Sequence, residues 1–339
     1  MKVLLTWHAS EDEINRVRDG LPGGCSVVAP NTTSKMLRYD VAHRDIADQC
    51  ADVDAIMGWV VPPQTWGAVP DLKALAWLHA GCDELDYPML KERGVQVCNI
   101  RGGNGVAIAE HAMALMLGLA KRVTQRHQWL QEAHWQPTWD PNYMGVQLEG
   151  KTLAVIGLGM IGTAIAKRAT GFDMKVIGVR RHPERGGDHV DELHGPNELH
   201  DVLAAADFAV IATPITTETE GFIDAAALAC MKPSAMLINI ARGNLIVEPP
   251  LYDALTEGRL AGYAADVWWN YADTFPPTYH YPIPSRTGLH KLPNVICSGD
   301  QACNVDGVAD ALIAMGTESL AAFASGQTMP RAIDLELGY

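Results

Sequence analysis

Leu153-Ala154-Val155-Ile156-Gly157-Leu158-Gly159-Met160-Ile161-Gly162-Thr163-Ala164-Ile165-Ala166 joins an apolar run, three glycines spaced G-x-G-x-x-G and an apolar helical pattern. The first four residues suit a buried strand. Gly157 permits the tight turn that follows, Gly159 lets a pyrophosphate approach the backbone, and Gly162 lets helix and strand pack closely. The unpaired N–H groups at the start of the helix then face negative phosphates. A bare glycine spacing is weak evidence. Here the flanking strand and helix, with a second strand starting at Lys175, favour a dinucleotide turn over a glycine loop without a ligand.

Outward from this turn the same alternation continues in both directions. Before it, Val3-Leu5, Ser26-Val28, Ala55-Met57, Leu75-Leu78 and Val95-Asn99 read as strands with amphipathic segments between them. After it come Lys175-Val179, Phe208-Ala212, Met236-Ile240, Tyr263-Ala265 and Val295-Cys297. Strands separated by helical patterns predict an α/β fold of βαβ units on parallel sheets. Between the two series, Ala107 to about Glu132 reads as one long helix, with Ala109, Ala112, Leu115, Met116, Leu119 and Ala120 on one face. A Trp- and Pro-containing loop from Trp135 to Tyr143 follows it. Val305 to Gly326 is helical again, as if the chain returns to the domain it left.

At 339 residues the chain exceeds the size of a single core, so two domains are expected. A hydrophobic fraction of 48% with 19% charged residues is that of a soluble globular protein. The formal net charge of -14 opposes phosphate backbones and argues against nucleic acid as a partner. Seven scattered cysteines with no C-x-x-C fit reduced thiols in the cytoplasm, and not a disulfide framework or a metal site. The first residues, Met1 to His8, are too short an apolar run for a signal peptide, and no stretch is long enough to span a membrane.

In dinucleotide folds an acidic residue at the end of the second strand holds the adenosine ribose of NAD. This chain has Val179-Arg180-Arg181-His182 there. Arg180 and Arg181 can pair with a 2′-phosphate and stack on adenine, so NADP is expected in preference to NAD, with NAD possible. The alternative is a solvated basic loop end with no preference.

With these pieces placed, the chain resembles the D-2-hydroxyacid dehydrogenases, a family that includes phosphoglycerate, formate and phosphite dehydrogenases. Beyond the glycine turn, the resemblance rests on Leu72-Lys73 through Ala80-Gly81-Cys82-Asp83, Glu92-Arg93-Gly94-Val95-Gln96-Val97-Cys98-Asn99, and Asn104 with Ala109-Glu110-His111-Ala112. It extends through Leu148-Glu149-Gly150-Lys151-Thr152-Leu153, Pro214 with Thr216-Thr217-Glu218-Thr219, Met231-Lys232-Pro233, Ile238-Asn239-Ile240-Ala241-Arg242-Gly243 and Ala264-Ala265-Asp266-Val267. It implies a Rossmann-type cofactor domain over 105–300 and a flavodoxin-like substrate domain over 1–104 plus 301–339, closing over it. It further implies that Met160, Ile161, Thr213, Pro214, Thr219, Ile240 and Ala241 line the cofactor and that Asp266 contacts its nicotinamide end. Ala80, Gly81 and Cys82 would donate backbone N–H bonds to a substrate carboxylate, with Asn104 nearby. The long helix and the Trp-containing loop would form a homodimer interface. Arg242 would pair with the carboxylate and keto oxygen. Its context supports this independently, because a guanidinium in an apolar strand end needs an anionic partner. A structural salt bridge is the alternative.

The family's acid/base is a histidine in a T-P-H segment held by a glutamate or glutamine. Here Ser298-Gly299-Asp300 stands at the first place and Tyr271 at the second. Ketone reduction needs a proton donor beside the nascent alkoxide. Asp300 with a raised pKa, or Tyr271 with a lowered one, could serve, although Asp300 reads equally well as a helix-capping carboxylate. His79, at the start of the carboxylate-binding loop, competes for the role, followed by His280 and His290. His111 reads as a packed, hydrogen-bonded core residue. Trp59, Val60 and the Trp135–Trp139 loop suggest an apolar or aromatic wall for the acyl group.

These residues predict hydride transfer between NADP(H) and a small 2-oxo or 2-hydroxy carboxylic acid. Two alternatives stay open. The aromatic pair Trp268-Trp269 after Asp266-Val267 is similar to that of formate dehydrogenases and points to another small anion. The missing acid/base pair is also compatible with a cofactor-binding protein without catalysis.

Overall fold

Parallel strands cannot be joined by a tight turn; each pair needs a crossover. The intervals between the apolar runs supply one each time. The structure, a computed structural model, describes residues 1–30, 38–39, 41–269 and 284–336; Tyr271 and His280 lie outside the described residues. The chain divides into two compact units, one of residues 1–104 with 306–336 and one of 105–269 with 284–305.

In the first unit the chain runs β1 (Lys2–Leu5), α1 (Glu11–Asp19), β2 (Ser26–Val28), β3 (Ala55–Gly58), α2 (Pro63–Ala68), β4 (Ala74–Trp77), α3 (Tyr87–Glu92) and β5 (Gln96–Cys98). The strands are all parallel in the order β2-β1-β3-β4-β5, with Val3 opposite both Val27 and Ala55. That is the flavodoxin-like order, with its reversal between β1 and β3. Both faces of the sheet are covered, as an all-parallel sheet requires: Val3, Leu5 and Met57 fill one core, Leu4, Ile56 and Leu75 the other. Helix α1 starts on a capping box in which Ser10 Oγ accepts from Glu13 N and Glu13 Oε2 accepts from Ser10 N.

The second unit opens with α4 (Gly105–Lys121) and α5 (Val123–Gln131). Next come β6 (Thr152–Ile156), α6 (Met160–Thr170), β7 (Lys175–Val179), β8 (Glu192–His194), α7 (Leu199–Ala205) and β9 (Phe208–Ile211). The series ends with α8 (Ala225–Cys230), β10 (Met236–Asn239), α9 (Glu248–Thr256), β11 (Gly262–Ala265) and β12 (Val295–Cys297). The seven strands pair in parallel in the order β12-β11-β10-β9-β6-β7-β8, which carries the Rossmann reversal between β6 and β9. The chain then re-enters the first unit as α10 (Val308–Ala324), which lies along β4 and α1.

Three details differ from the sequence reading. The long helix breaks at Arg122, whose φ of 53° is left-handed. No residue of α5 is buried, so packing does not hold it in line with α4, and Arg122 and Arg126 instead donate to the carbonyls of Asn142 and Tyr143. Strand β8 was not expected, because its three residues carry no apolar run; at a sheet edge polar residues are tolerated. The second unit also extends to residue 305, beyond the expected 300, because the Asp266 carboxylate holds the amides of Gln301 and Ala302.

Glu248, buried at the start of α9, accepts from Ser285 Oγ at 2.6 Å, Thr287 N at 3.0 Å and Thr287 Oγ1 at 2.9 Å. Burial pushes its carboxyl pKa upward, but these hydrogen bonds outweigh it and the net shift is downward. A lowered carboxyl contributes stability above the ordinary carboxylate pKa and loses it as pH falls through the folded value. The Glu248→Gln variant is therefore expected to be about 1–2 kcal/mol less stable than the parent at pH 7. In urea titrations the gap should close below roughly pH 4. A gap that stays constant down to pH 3 would contradict this account.

Candidate active site

The glycine turn leaves room that side chains would fill. Gly157 has φ 101°, and a Cβ there would fall 2.7 Å from the carbonyl carbon of Ala212. A Cβ on Gly162 would fall 1.9 Å from the Gly157 carbonyl oxygen. Gly159 differs: nothing lies within 4 Å of its Cβ position. It is the N-cap of α6, its own carbonyl accepts from Thr163 N, and it has no side chain to cap the N–H groups of Met160, Ile161 and Gly162. Met160 is 63% exposed. Bare amides beside open space at the positive end of an eleven-residue helix fit a dinucleotide pyrophosphate.

At the end of β7, Arg180 N donates to His194 O of β8, and its guanidinium donates to Gly186 O at 2.6 Å. Arg181 reaches across to Glu218 Oε2 at 2.5 Å in an exposed ion pair. In the loop after β9, half-buried Thr213 and exposed Pro214 lead to Thr219, whose hydroxyl donates to Pro214 O at 2.8 Å and accepts from Thr216 N at 2.8 Å. The Thr219 hydroxyl thus holds the loop closed.

The ends of β10 and β11 are built more tightly. Buried Asn239 closes the β10 turn, donating to Arg242 O at 2.8 Å and accepting from Ala241 N at 3.1 Å. Ile240 is buried, and Arg242 is half-buried with Nη1 on Ala241 O at 2.9 Å. A Cβ on Gly243 would fall 2.3 Å from the Trp268 carbonyl carbon, so the turn lies directly on the chain leaving β11.

Asp266, at the end of β11, is buried, and its carboxylate accepts from Ser298 Oγ at 2.6 Å, Gln301 N at 3.0 Å and Ala302 N at 2.9 Å. Asp300 N donates to Asp266 O at 2.7 Å; Asp300 is exposed and has φ 55°. A non-glycine residue held in the left-handed region costs about 1 kcal/mol or more, and such strain clusters at functional sites. His290 lies in the turn before β12, with Nδ1 buried and unpartnered among the described residues.

In the first unit the carbonyls of Ala80, Gly81 and Cys82 accept from Asn99 Nδ2 at 2.9 Å, Trp77 Nε1 at 3.1 Å and Tyr87 Oη at 2.6 Å. Across a trans peptide the N–H points opposite to the carbonyl. Fixing the first two oxygens therefore turns the amides of Gly81 and Cys82 the other way, as an anion-binding loop needs. His79 has Nε2 2.9 Å from Trp59 O, which commits that nitrogen as a donor. Asn104 is buried, with no partner for Oδ1 among the described residues. Trp59 and Val60 are buried, with Trp59 packed edge-on against Trp7 and tilted on Tyr39.

Asn239 and Ser298 are organisers that the sequence did not single out, and His111, expected as a packed, hydrogen-bonded core residue, is hydrogen-bonded but not fully buried. His111 is half-buried, with Nε2 2.7 Å from Ser298 Oγ. These two residues are 187 positions apart, and no motif spacing joins them. Asn239 did carry a signal, since a buried amide at a strand end is bound to bridge a turn.

Comparison with known proteins agrees with this architecture. Residues 113–299 match a family model described as the NAD-binding domain of D-isomer-specific 2-hydroxyacid dehydrogenases. A glyoxylate reductase of Korarchaeum cryptofilum is 31% identical over 302 residues, covering 86% of each chain. One of Pyrococcus horikoshii is 32% identical over 306 residues, covering 88% of each. The crystal structure of a glyoxylate reductase from Paecilomyes thermophila has a TM-score of 0.80 over 99% of each chain at 20% identity, a likeness of fold.

The glycine geometry separates stability from binding. Gly159→Ala is expected to change the urea midpoint little, within about 0.5 kcal/mol, while weakening dinucleotide affinity by at least about tenfold in a fluorescence titration, because its methyl fills the phosphate space. Gly162→Ala is expected to lose roughly 2–4 kcal/mol of stability. Equal loss of stability in both variants would contradict this assignment.

Proposed function

The chain belongs to the D-isomer-specific 2-hydroxyacid dehydrogenase family, and from that premise we propose that it reduces a small 2-oxo acid of the glyoxylate class with NADPH. Hydride-transfer oxidoreduction of a 2-hydroxy acid couple is the family's activity. The observation that carries the substrate reading is Arg242, a half-buried guanidinium held at the end of β10 by the Asn239 turn. A planar, permanently charged fork in that position suits a carboxylate with an adjacent keto oxygen. The glyoxylate reductases among its relatives support the small acyl group.

When bound, the nicotinamide supplies the hydride that reaches the keto carbon; the protein's part is to hold, orient and protonate. The amides at 160–162 and the space over Gly159 support binding of the pyrophosphate. Arg242 orients the carboxylate and draws electron density toward the keto oxygen, so that charge developing there meets a fixed cation. Asp300 is the proposed proton donor, a role that requires bound cofactor and substrate to dry its carboxyl, exposed here, and so raise its pKa. Its support is a strained backbone position hydrogen-bonded to the end of β11, whereas one nitrogen of its competitor His79 is committed to Trp59 O.

Preference for NADP rests on Arg180 and Arg181 and on the absence of a carboxylate at the end of β7. The Arg181–Glu218 pair is exposed and therefore worth little, so a 2′-phosphate can replace Glu218 as the anion. A homodimer is inferred from the face carrying Trp135 and Trp139, 82% and 84% exposed beside a groove of about 470 Å³ lined by Trp129, Leu130 and Met144. A purely monomeric mass in sedimentation equilibrium would reject it.

Steady-state reduction of glyoxylate tests the reading. Arg242→Gln is expected to lower kcat/KM on the order of a hundred- to a thousandfold with NADPH affinity unchanged. Arg181→Ala is expected to raise the NADPH KM by about tenfold and leave the NADH value alone. An Arg242→Gln enzyme as active as the parent would sink the proposal.

A further inference from the structure

Three side chains of the second unit form a hydrogen-bonded chain that the reaction described above does not use. Ser298 Oγ lies 2.6 Å from Asp266 Oδ1 and 2.7 Å from His111 Nε2. A carboxylate can only accept and a hydroxyl has one proton to give. The Ser298 proton therefore lies toward Asp266, and His111 must donate through Nε2. The same nitrogen is 3.6 Å from Asp266 Oδ1. The geometry is held from three sides: Gln301 and Ala302 amides fix the carboxylate, and the Trp268 indole donates to Ser298 O at 2.8 Å. The side chain of Asp266 is 4% exposed and that of His111 25%, so a proton can reach the ring at Nδ1 while the carboxylate stays dry.

Position in the sheet says what this chain faces. A Rossmann sheet binds one nucleotide over each half, beyond the carboxyl ends of its strands. The glycine turn after β6 and the arginines after β7 occupy the adenosine half, which leaves the ends of β9, β10 and β11 for the nicotinamide half. Asp266 ends β11. The nicotinamide ring is cationic when oxidised and neutral when reduced, so a fixed carboxylate at that edge favours the oxidised form. A proton on His111, 3.6 Å away, offsets that charge.

We propose that the His111–Ser298–Asp266 chain couples proton uptake at His111 to the redox state of the bound nicotinamide, so that protonation weakens the preference for the oxidised cofactor. This rests on the dehydrogenase reading above and deepens it. His111 is a positioning residue that acts through Ser298 and Asp266. By linkage, binding of the oxidised cofactor must expel a proton that binding of the reduced cofactor leaves in place. Histidine is the side chain whose charge changes within the ordinary assay range.

Besides Lys121 of α4 itself, the other ionisable groups on elements packed against α4 are Arg168 and Lys167 of α6, Arg126 and His127 of α5, Tyr263 of β11, and Arg242, Cys297, Asp300 and Cys303 around the ends of β10 and β12. Glu110, beside His111, is paired with Arg168 at 3.0 Å. Partial desolvation by neighbouring chain pushes the Cys303 thiol upward, helped by Asp300 and Asp266, and pushes Cys297 up to about 11, although both residues keep exposed surface; both stay protonated over the assay range. His127 and Asp300 are unchanged by substitution at His111, so a comparison with the parent removes their contribution.

The test measures affinity for NADP+ and NADPH separately between pH 5.5 and 8.5, in the full chain and in His111→Gln, whose amide can still donate to Ser298 but takes up no proton. In the parent, the affinity ratio of oxidised over reduced cofactor is expected to fall about five- to tenfold from the alkaline to the acid end; in His111→Gln it should stay flat. Calorimetry of the parent in two buffers of different ionisation enthalpy gives a readout independent of the variant's folding. More protons should be released on binding NADP+ than NADPH, and the 2′-phosphate, common to both, cancels. Equal proton release, or an unchanged pH dependence in a folded His111→Gln, overturns the proposal. Failure of the parent to bind either cofactor would instead defeat the dehydrogenase reading, and this inference with it.

Discussion

Everything chemical in the second unit depends on one steric constraint: at Gly157 and Gly162 the backbone passes so close to itself that no Cβ fits. That approach brings α6 onto β6 with its first amides uncovered. The uncapped N–H groups and the helix dipole are what the proposed pyrophosphate site would use, from the main chain alone. The Rossmann strand order then determines which strand ends meet each half of a dinucleotide. Arg242 and Asp266 owe their positions to that order, since β10 and β11 follow β9 outward from the glycine strand.

The carboxyl ends of β10, β11 and β12 form a single rigid junction. Asn239 fastens the Arg242 turn, Gly243 lies on the backbone of Trp268, and the Trp268 indole holds Ser298. Asp266 ties the start of the following segment with two amide bonds and one hydroxyl bond. A carboxylate so held has little freedom to reorganise, which is the property an electrostatic site requires. The junction also explains why the segment at 298–305 stays with the second unit and does not begin the return to the first.

The sheets were legible because buried parallel strands must be continuous apolar runs, and Val3–Leu5, Lys175–Val179 and Phe208–Ile211 declare themselves that way. The glycine turn was legible because its three positions have separate steric reasons. What escaped was set by tertiary contact. The break at Arg122 follows from α5 burying nothing, a property of its surroundings and not of its own residues. Strand β8 forms because β7 offers it an edge. Ser298 stands where a family histidine segment begins, and its place between His111 and Asp266 emerges only when β11 and β12 pair beneath α4. Trp59, read as part of an apolar wall, packs against Trp7 and Tyr39, a contact that no local pattern announces.

The most direct test of hydride transfer to a 2-oxo acid is isotopic. NADPH carrying deuterium at nicotinamide C4, prepared separately in each of its two faces, is incubated with the protein and glyoxylate, and the glycolate is examined by mass spectrometry and NMR. The account predicts one deuterium on the carbinol carbon from one face of the nicotinamide only. Glycolate without deuterium from either face, or no glycolate under saturating cofactor, would contradict it.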